Sequence, residues 1–149
     1  MAGPALPAPP PCAGDVNPAE AWARLAAEAR ALLVDVRTKL ELQLVGGPDL
    51  AGLGREPVQA EWMTQQGANP GFVGEVKALL AARGADQDTP LYFLCRTGGR
   101  SRMAAGQLTR EGYTACYNIV EGYEGDLDAH GHRNSITGWR ARGLPWRQS

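Results

Sequence analysis

Cysteine is scarce in this chain. The 149 residues hold three, Cys12, Cys95 and Cys116. An odd, sparse set is a poor disulfide framework and fits reduced thiols in a reducing compartment, so a cytoplasmic location is expected. Histidine is scarcer still, with only His130 and His132. Two histidines flanking one glycine, with no cysteine beside them, make a poor metal site. They are expected to be exposed or to take part in loop hydrogen bonding, and neither a metal nor another cofactor is expected. A surplus of one charge is also missing. Fifteen Lys and Arg stand against sixteen Asp and Glu, a net charge of -1, so nothing points to bulk binding of nucleic acid or a membrane surface, and neither is expected as a partner. No apolar run approaches the ~20 residues of a membrane span. The first residues lack the basic start and apolar block of a secretory signal.

What is present is an ordinary globular composition, 44% hydrophobic and 21% charged, with many loop formers: nineteen glycines and eleven prolines. The length suits one domain with a real core. Met1 to Gly14 carries five prolines, four alanines and no charged side chain. Residues 1–15 are therefore expected to be a disordered Pro/Ala-rich tail, with Cys12 incidental in it, and residues 16–149 a single domain, monomeric by default.

Along that domain, Asn17-Pro18 reads as an N-cap with proline at the first helical position. Trp22, Leu25, Ala26 and Ala29 follow at helical spacing. The compact apolar run Ala31–Val36 predicts a buried parallel strand. Glycine-rich Glu41–Arg55 reads as mostly loop, and Val58–Met63 as a short strand. Asn69-Pro70-Gly71 opens a helix carrying Phe72, Val73, Val76, Leu79 and Leu80, closed by Gly84. Leu91–Cys95 is the strongest strand signal, Ser101 to about Arg110 predicts a helix, and Ala115–Val120 another strand, with Cys116 in the core. Glu121–Ser149 reads as loops around one short helix, with Trp139 and Trp146 packing it against the sheet. Strands alternating with helices predict an α/β domain with a mainly parallel sheet. Ligands in such sheets sit beyond the carboxyl ends of the strands, which points to the loop after Leu91–Cys95.

That loop is Cys95-Arg96-Thr97-Gly98-Gly99-Arg100-Ser101. A cysteine at the end of a buried strand is held firmly with its sulfur facing the crevice. Two glycines let the chain curl and turn N–H groups inward as an anion nest. The helix that follows points its positive end at the same place, and Arg96 and Arg100 add permanent charge. Such surroundings lower a cysteine pKa from about 8.5 to ~3.5–7.5, so Cys95 is expected to be a nucleophilic thiolate inside a cradle for the anion it attacks. Arg37 ends on the same edge and either adds a further cation or is held by Asp35 in a structural ion pair.

The loop CRTGGRS resembles the active-site loop of single-domain rhodaneses, the thiosulfate sulfurtransferase family. Leu33–Arg37 (LVDVR) resembles the family's first strand motif. Gly138-Trp139, with Gly143-Leu144-Pro145, resembles its C-terminal signature. The resemblance runs in order from Val16 to Trp146. It implies a central, mainly parallel sheet flanked by helices on both faces. It also implies that Cys95 attacks the outer sulfur of a donor such as thiosulfate, releases sulfite, and passes the sulfur of its persulfide to cyanide or a thiol acceptor, with a sulfur-carrier protein as a candidate partner. Arg96 to Ser101 match the loop that cradles the persulfide. The stretch Asp126–Trp139 exceeds what a minimal rhodanese needs and reads as an extra surface loop.

Two other readings compete. Cysteine-based phosphatases and arsenate reductases use Cys-x5-Arg, whereas four residues, Arg96 to Gly99, separate Cys95 from Arg100. The smaller ring fits a sulfur atom better than a tetrahedral phosphate. A non-catalytic rhodanese-like binding module is the other reading, and retention of the cysteine in an electropositive loop argues against it.

Overall fold

A computed structural model describes residues 11–148 of the chain. Residues 1–10, most of the expected tail, lie outside the described residues. Five strands build the central sheet: β1 (Gly14–Val16), β2 (Leu32–Asp35), β3 (Val58–Gln59), β4 (Leu91–Leu94) and β5 (Cys116–Ile119). Their order is β1-β5-β4-β2-β3, and every pairing is parallel. Four helices connect them: α1 (Pro18–Ala27), α2 (Lys39–Val45), α3 (Phe72–Ala82) and α4 (Gly99–Arg110).

Strand alternation splits the core into two layers. Val34, Phe93 and Cys95 face Phe72, Val76 and Leu80 of α3 and Ala104, Ala105 and Leu108 of α4. Leu33, Tyr92 and Leu94 face Ala21 and Leu25 of α1 together with Tyr123 and Trp139. All four residues of β2 and of β4 are buried, as expected for a sheet covered on both faces. No helix among the described residues is long and apolar enough to cross a membrane.

Several local expectations change. The sheet begins at Gly14, inside the expected tail, because Gly14–Val16 pairs with Tyr117–Ile119 and the Ala13 N–H donates to the Cys116 carbonyl at 2.9 Å. Cys12 is accordingly not loose: it packs on the core, and Arg102 donates to its sulfur at 3.0 Å. Asn17 does cap α1, in a reciprocal box with Glu20, but the helix stops at Ala27 and buries Ala21 and Leu25 rather than Ala26 and Ala29. Helix α2 stands where loop was expected, launched by a second box between Thr38 and Glu41. The Val58–Met63 strand is broken: the two residues of β3 join the sheet at its edge, and Met63 lies instead in a separate two-residue antiparallel ladder opposite Ala68.

Beyond Glu121 the described residues contain turns and no helix. A two-residue antiparallel ladder, Gly47–Pro48 with Trp146–Arg147, anchors the segment. Trp139 is fully buried, edge-on to Trp22 with centroids 6.0 Å apart, and its Nε1–H donates to the Pro145 carbonyl at 2.7 Å. Trp146 is not part of the buried core. It is 38% exposed, with the Arg140 guanidinium 3.8 Å from its ring centroid. Trp139→Ala should therefore cost about 3–5 kcal/mol, measured by denaturant unfolding, and an unchanged midpoint would contradict this anchoring role.

Candidate active site

Cys95 follows directly on β4 at the carboxyl edge of the sheet, and only 1% of its surface is exposed. The Gly98 N–H donates to its Sγ at 3.0 Å. Gly98 has φ of 109°, a conformation an L side chain rarely adopts, and it is the N-cap of α4. The expected curl thus rests on this one glycine: Gly99 has no positive φ and is already the first residue of the helix, with open space in front of it. The Ser101 hydroxyl lies 3.2 Å from Cys95 Sγ and 2.6 Å from Asn118 Oδ1. One hydroxyl proton is thereby shared between two acceptors. Asn118 joins the site only in the fold. Its signal was a lone amide inside the apolar run ACYNIV.

The loop is held from outside by the turn after β5. The Tyr123 N–H donates to the Cys95 carbonyl at 2.8 Å, and the Glu124 N–H to the Arg96 carbonyl at 2.9 Å. Gly122 makes this approach feasible, since a Cβ there would lie 2.5 Å from the Arg96 carbonyl and 2.6 Å from Thr97 N. The resembling C-terminal motif fastens this turn in its own right: the Trp139 N–H donates to the Gly122 carbonyl, the Gly138 N–H to Glu121, and Arg142 grips Glu121 at 2.6 and 2.8 Å.

The two loop arginines are not free cations. Arg100 makes a two-point ion pair with Glu41 at 2.7 and 2.8 Å, both side chains mostly shielded from solvent. Burial pushes the Glu41 carboxyl up, but hydrogen bonds from Arg100 and from the Thr38 backbone outweigh it and hold the group down at about 2. Arg96 pairs with Glu124 at 3.4 Å and is 46% exposed. Thr97 lies exposed on the outside of the loop.

Arg37 is tied to Asp35, while its Nη1 is buried with no partner among the described residues. All of its hydrogen bonds among the described residues go to Asp35, at 2.8–3.2 Å. Its side chain is fully buried, with the guanidinium 4.2 Å from the Tyr123 ring centroid. The structural ion pair with Asp35 is present. Cys116 lies in the core, where burial pushes its thiol up to about 11. His130 and His132 are exposed, and their backbone N–H groups donate to Asp128. Among the described residues no cluster of three His, Cys, Asp or Glu could hold a metal.

The Glu41–Arg100 pair gives a pH prediction. A carboxyl depressed in the folded state stabilises the fold above its unfolded value of about 4.5, and loses that contribution as pH falls toward its folded value. Glu41→Gln should lower stability at pH 7 by on the order of 2 kcal/mol, after allowing for partial screening. The gap to wild type should narrow as acid denaturation is followed from pH 5 to about 2. A constant gap would separate Glu41 from the acid limb.

Comparison with known proteins agrees with this architecture. Residues 14–149 match the family model described as the STR4 middle domain. A crystal structure, Rv0390 from M. tuberculosis, is 48% identical with a TM-score of 0.84, over 93% of this chain and all of that one. The chain is 29% identical over 126 residues to the chloroplastic rhodanese-like domain-containing protein 4 of Arabidopsis thaliana, covering 85% of this chain but 24% of that protein. The polysulfide-sulfur transferase homodimer of Wolinella succinogenes shares the fold alone, with 24% identity and a TM-score of 0.56, over 90% of this chain and 77% of that one. With its all-parallel sheet, its cysteine beyond the central strand and the match over residues 14–149, the chain belongs to the STR4 middle domain family and has the rhodanese-like fold.

Proposed function

We propose that this chain is a sulfurtransferase that carries sulfane sulfur on Cys95. The observation behind the reading is the sulfur's setting: Cys95 Sγ sits at the carboxyl edge of the sheet, with the Gly98 amide and the Ser101 hydroxyl within 3.0–3.2 Å. The Gly98 N–H directed at this sulfur supports negative charge there, and the Ser101 hydroxyl adds to it when its single proton turns from Asn118 to the sulfur. The step is a displacement. The Cys95 thiolate attacks the outer sulfur of a donor such as thiosulfate. A sulfur–sulfur bond forms to Cys95 as the donor's own breaks, and the electron pair leaves on sulfite. An acceptor thiolate or cyanide then takes the terminal sulfur and restores the thiolate.

The arginines divide in role. Arg100 is committed to Glu41 and positions the start of α4. Arg96 has a half-exposed guanidinium in a long pair, 3.4 Å, with the mostly buried Glu124, and it can turn to the donor's oxygens at the expense of that pair. The tight burial of Cys95 favours a donor whose terminal sulfur enters end-on over a bulky phosphate ester. The rhodanese-like Arabidopsis relative and the sulfur-transferring Wolinella neighbour are in keeping with this reading.

Treatment with thiosulfate should add the mass of one sulfur atom to the peptide containing Cys95, as read by mass spectrometry. Cys95→Ser should abolish both the adduct and thiocyanate formation, while Cys12→Ser and Cys116→Ser retain most of the activity. A Cys95→Ser enzyme that still makes thiocyanate would defeat the mechanism. In steady-state kinetics, Arg96→Ala should raise KM for thiosulfate by about tenfold, as for one lost charged hydrogen bond. Arg110→Ala, on the exposed far end of α4, should leave KM unchanged. Equal effects would mean that Arg96 does not meet the donor.

A further inference from the structure

A cavity of about 680 Å3 opens at the other end of the sheet, lined by the loops that precede the strands. Leu32, the first residue of β2, and Thr89, just before β4, are in its wall. Cys95 lies past the far end of β4. At roughly 3.3 Å per residue, the strand separates the two places by more than ~10 Å. The volume falls within the roughly 300–1,000 Å3 of small-molecule sites.

Four arginines line the cavity: Arg30, Arg55, Arg83 and Arg147. Arg30 is neutralised by Asp86 at 2.7 Å. Arg55 and Arg83 are held differently. Arg55 donates to the carbonyls of Leu25, Glu28 and Ala31, and Arg83 to those of Glu56 and Pro57. A carbonyl fixes a guanidinium in place but, being a dipole, does not cancel its charge. Among the described residues, no carboxylate forms an ion pair with Arg55, Arg83 or Arg147, although Asp49 and Glu56 stand in the same wall. The walls are thus locally positive in a chain of net charge -1. Half-buried Pro57 and Ala85 supply an apolar side, backed by the buried Leu32 and Leu50. Guanidinium groups held in position by their own backbone bind a planar or tetrahedral anion with little ordering cost.

We propose that this cavity binds an organic anion: a phosphate or carboxylate head against the guanidinium groups, on an apolar body that covers the Pro57 and Ala85 side. The site is separate from Cys95 and independent of the sulfur chemistry. Isothermal titration calorimetry of the full chain with ADP, octanoate and adenosine tests it, the first two distinguishing a phosphate from a carboxylate head. Saturable binding of ADP or octanoate, with adenosine at least about tenfold weaker than ADP where ADP binds, is expected. Arg83→Ala and Arg147→Ala should each weaken the bound anion by about tenfold and leave sulfur transfer unchanged. Arg147 makes no side-chain hydrogen bond among the described residues and only its backbone serves the Gly47 ladder, so Arg147→Ala keeps the test informative should Arg83→Ala unfold. Cys95→Ala should bind as wild type. The proposal is overturned if neither anion binds saturably, if both arginine variants bind undiminished, or if Cys95→Ala abolishes binding.

Discussion

The site depends on a contact between two stretches of main chain. Where β4 ends, the carbonyls of Cys95 and Arg96 have no further ladder partner, and the N–H groups of Tyr123 and Glu124 take them. A buried carbonyl left unpaired costs about 1–3 kcal/mol, so these two bonds fix the outer side of the loop firmly. They form only because Gly122 has no Cβ to collide with Arg96 and Thr97. With the outer side fixed, Gly98 can take its positive φ and turn its amide onto the sulfur. The C-terminal segment, far away in sequence, acts through this contact: Trp139 is buried beneath the turn and bonds the Gly122 carbonyl.

The electrostatics follow from how charge is paired. Each loop guanidinium has its own carboxylate, Glu41 for Arg100 and Glu124 for Arg96. The fixed positive features left beside Cys95 are the Gly98 amide and the amino end of α4, partial charges that cannot be displaced or screened away as a mobile side chain can. A cradle made this way holds one sulfur anion at short range and exerts little pull on distant polyanions. That is a different device from a cluster of free arginines, which would draw in any phosphate.

Much of the fold was legible because burial on both faces writes itself as short apolar runs, and β2, β4 and β5 were read that way. Asn17 and Gly98 were legible because capping and positive φ demand particular residue types. Helix α2 was missed because glycines downstream masked the Thr38-x-x-Glu41 box, and its apolar residues do not form a buried face. With it went Glu41, and hence the true state of Arg100. Strand β1 was missed because three residues beside a proline-rich stretch carry no periodicity; its order comes from β5, over a hundred residues later. Arg37 stays open in the sequence because the Tyr123 ring that packs 4.2 Å from its guanidinium comes from a turn more than eighty residues later.

A parallel sheet gives its two ends different duties. All carboxyl ends open on one edge, so the Cys95 loop, the Thr38–Glu41 cap and the Gly122 turn meet there. The amino ends gather the other loops, including those that carry Arg55 and Arg83. Between the ends, β2 and β4 pair residue for residue from Leu32↔Leu91 to Asp35↔Leu94, with every side chain buried. Close-packed strands of this kind resist small displacements. Occupation of one end therefore leaves the packing at the other in place, and the Cys95 loop and the arginine-lined cavity act independently.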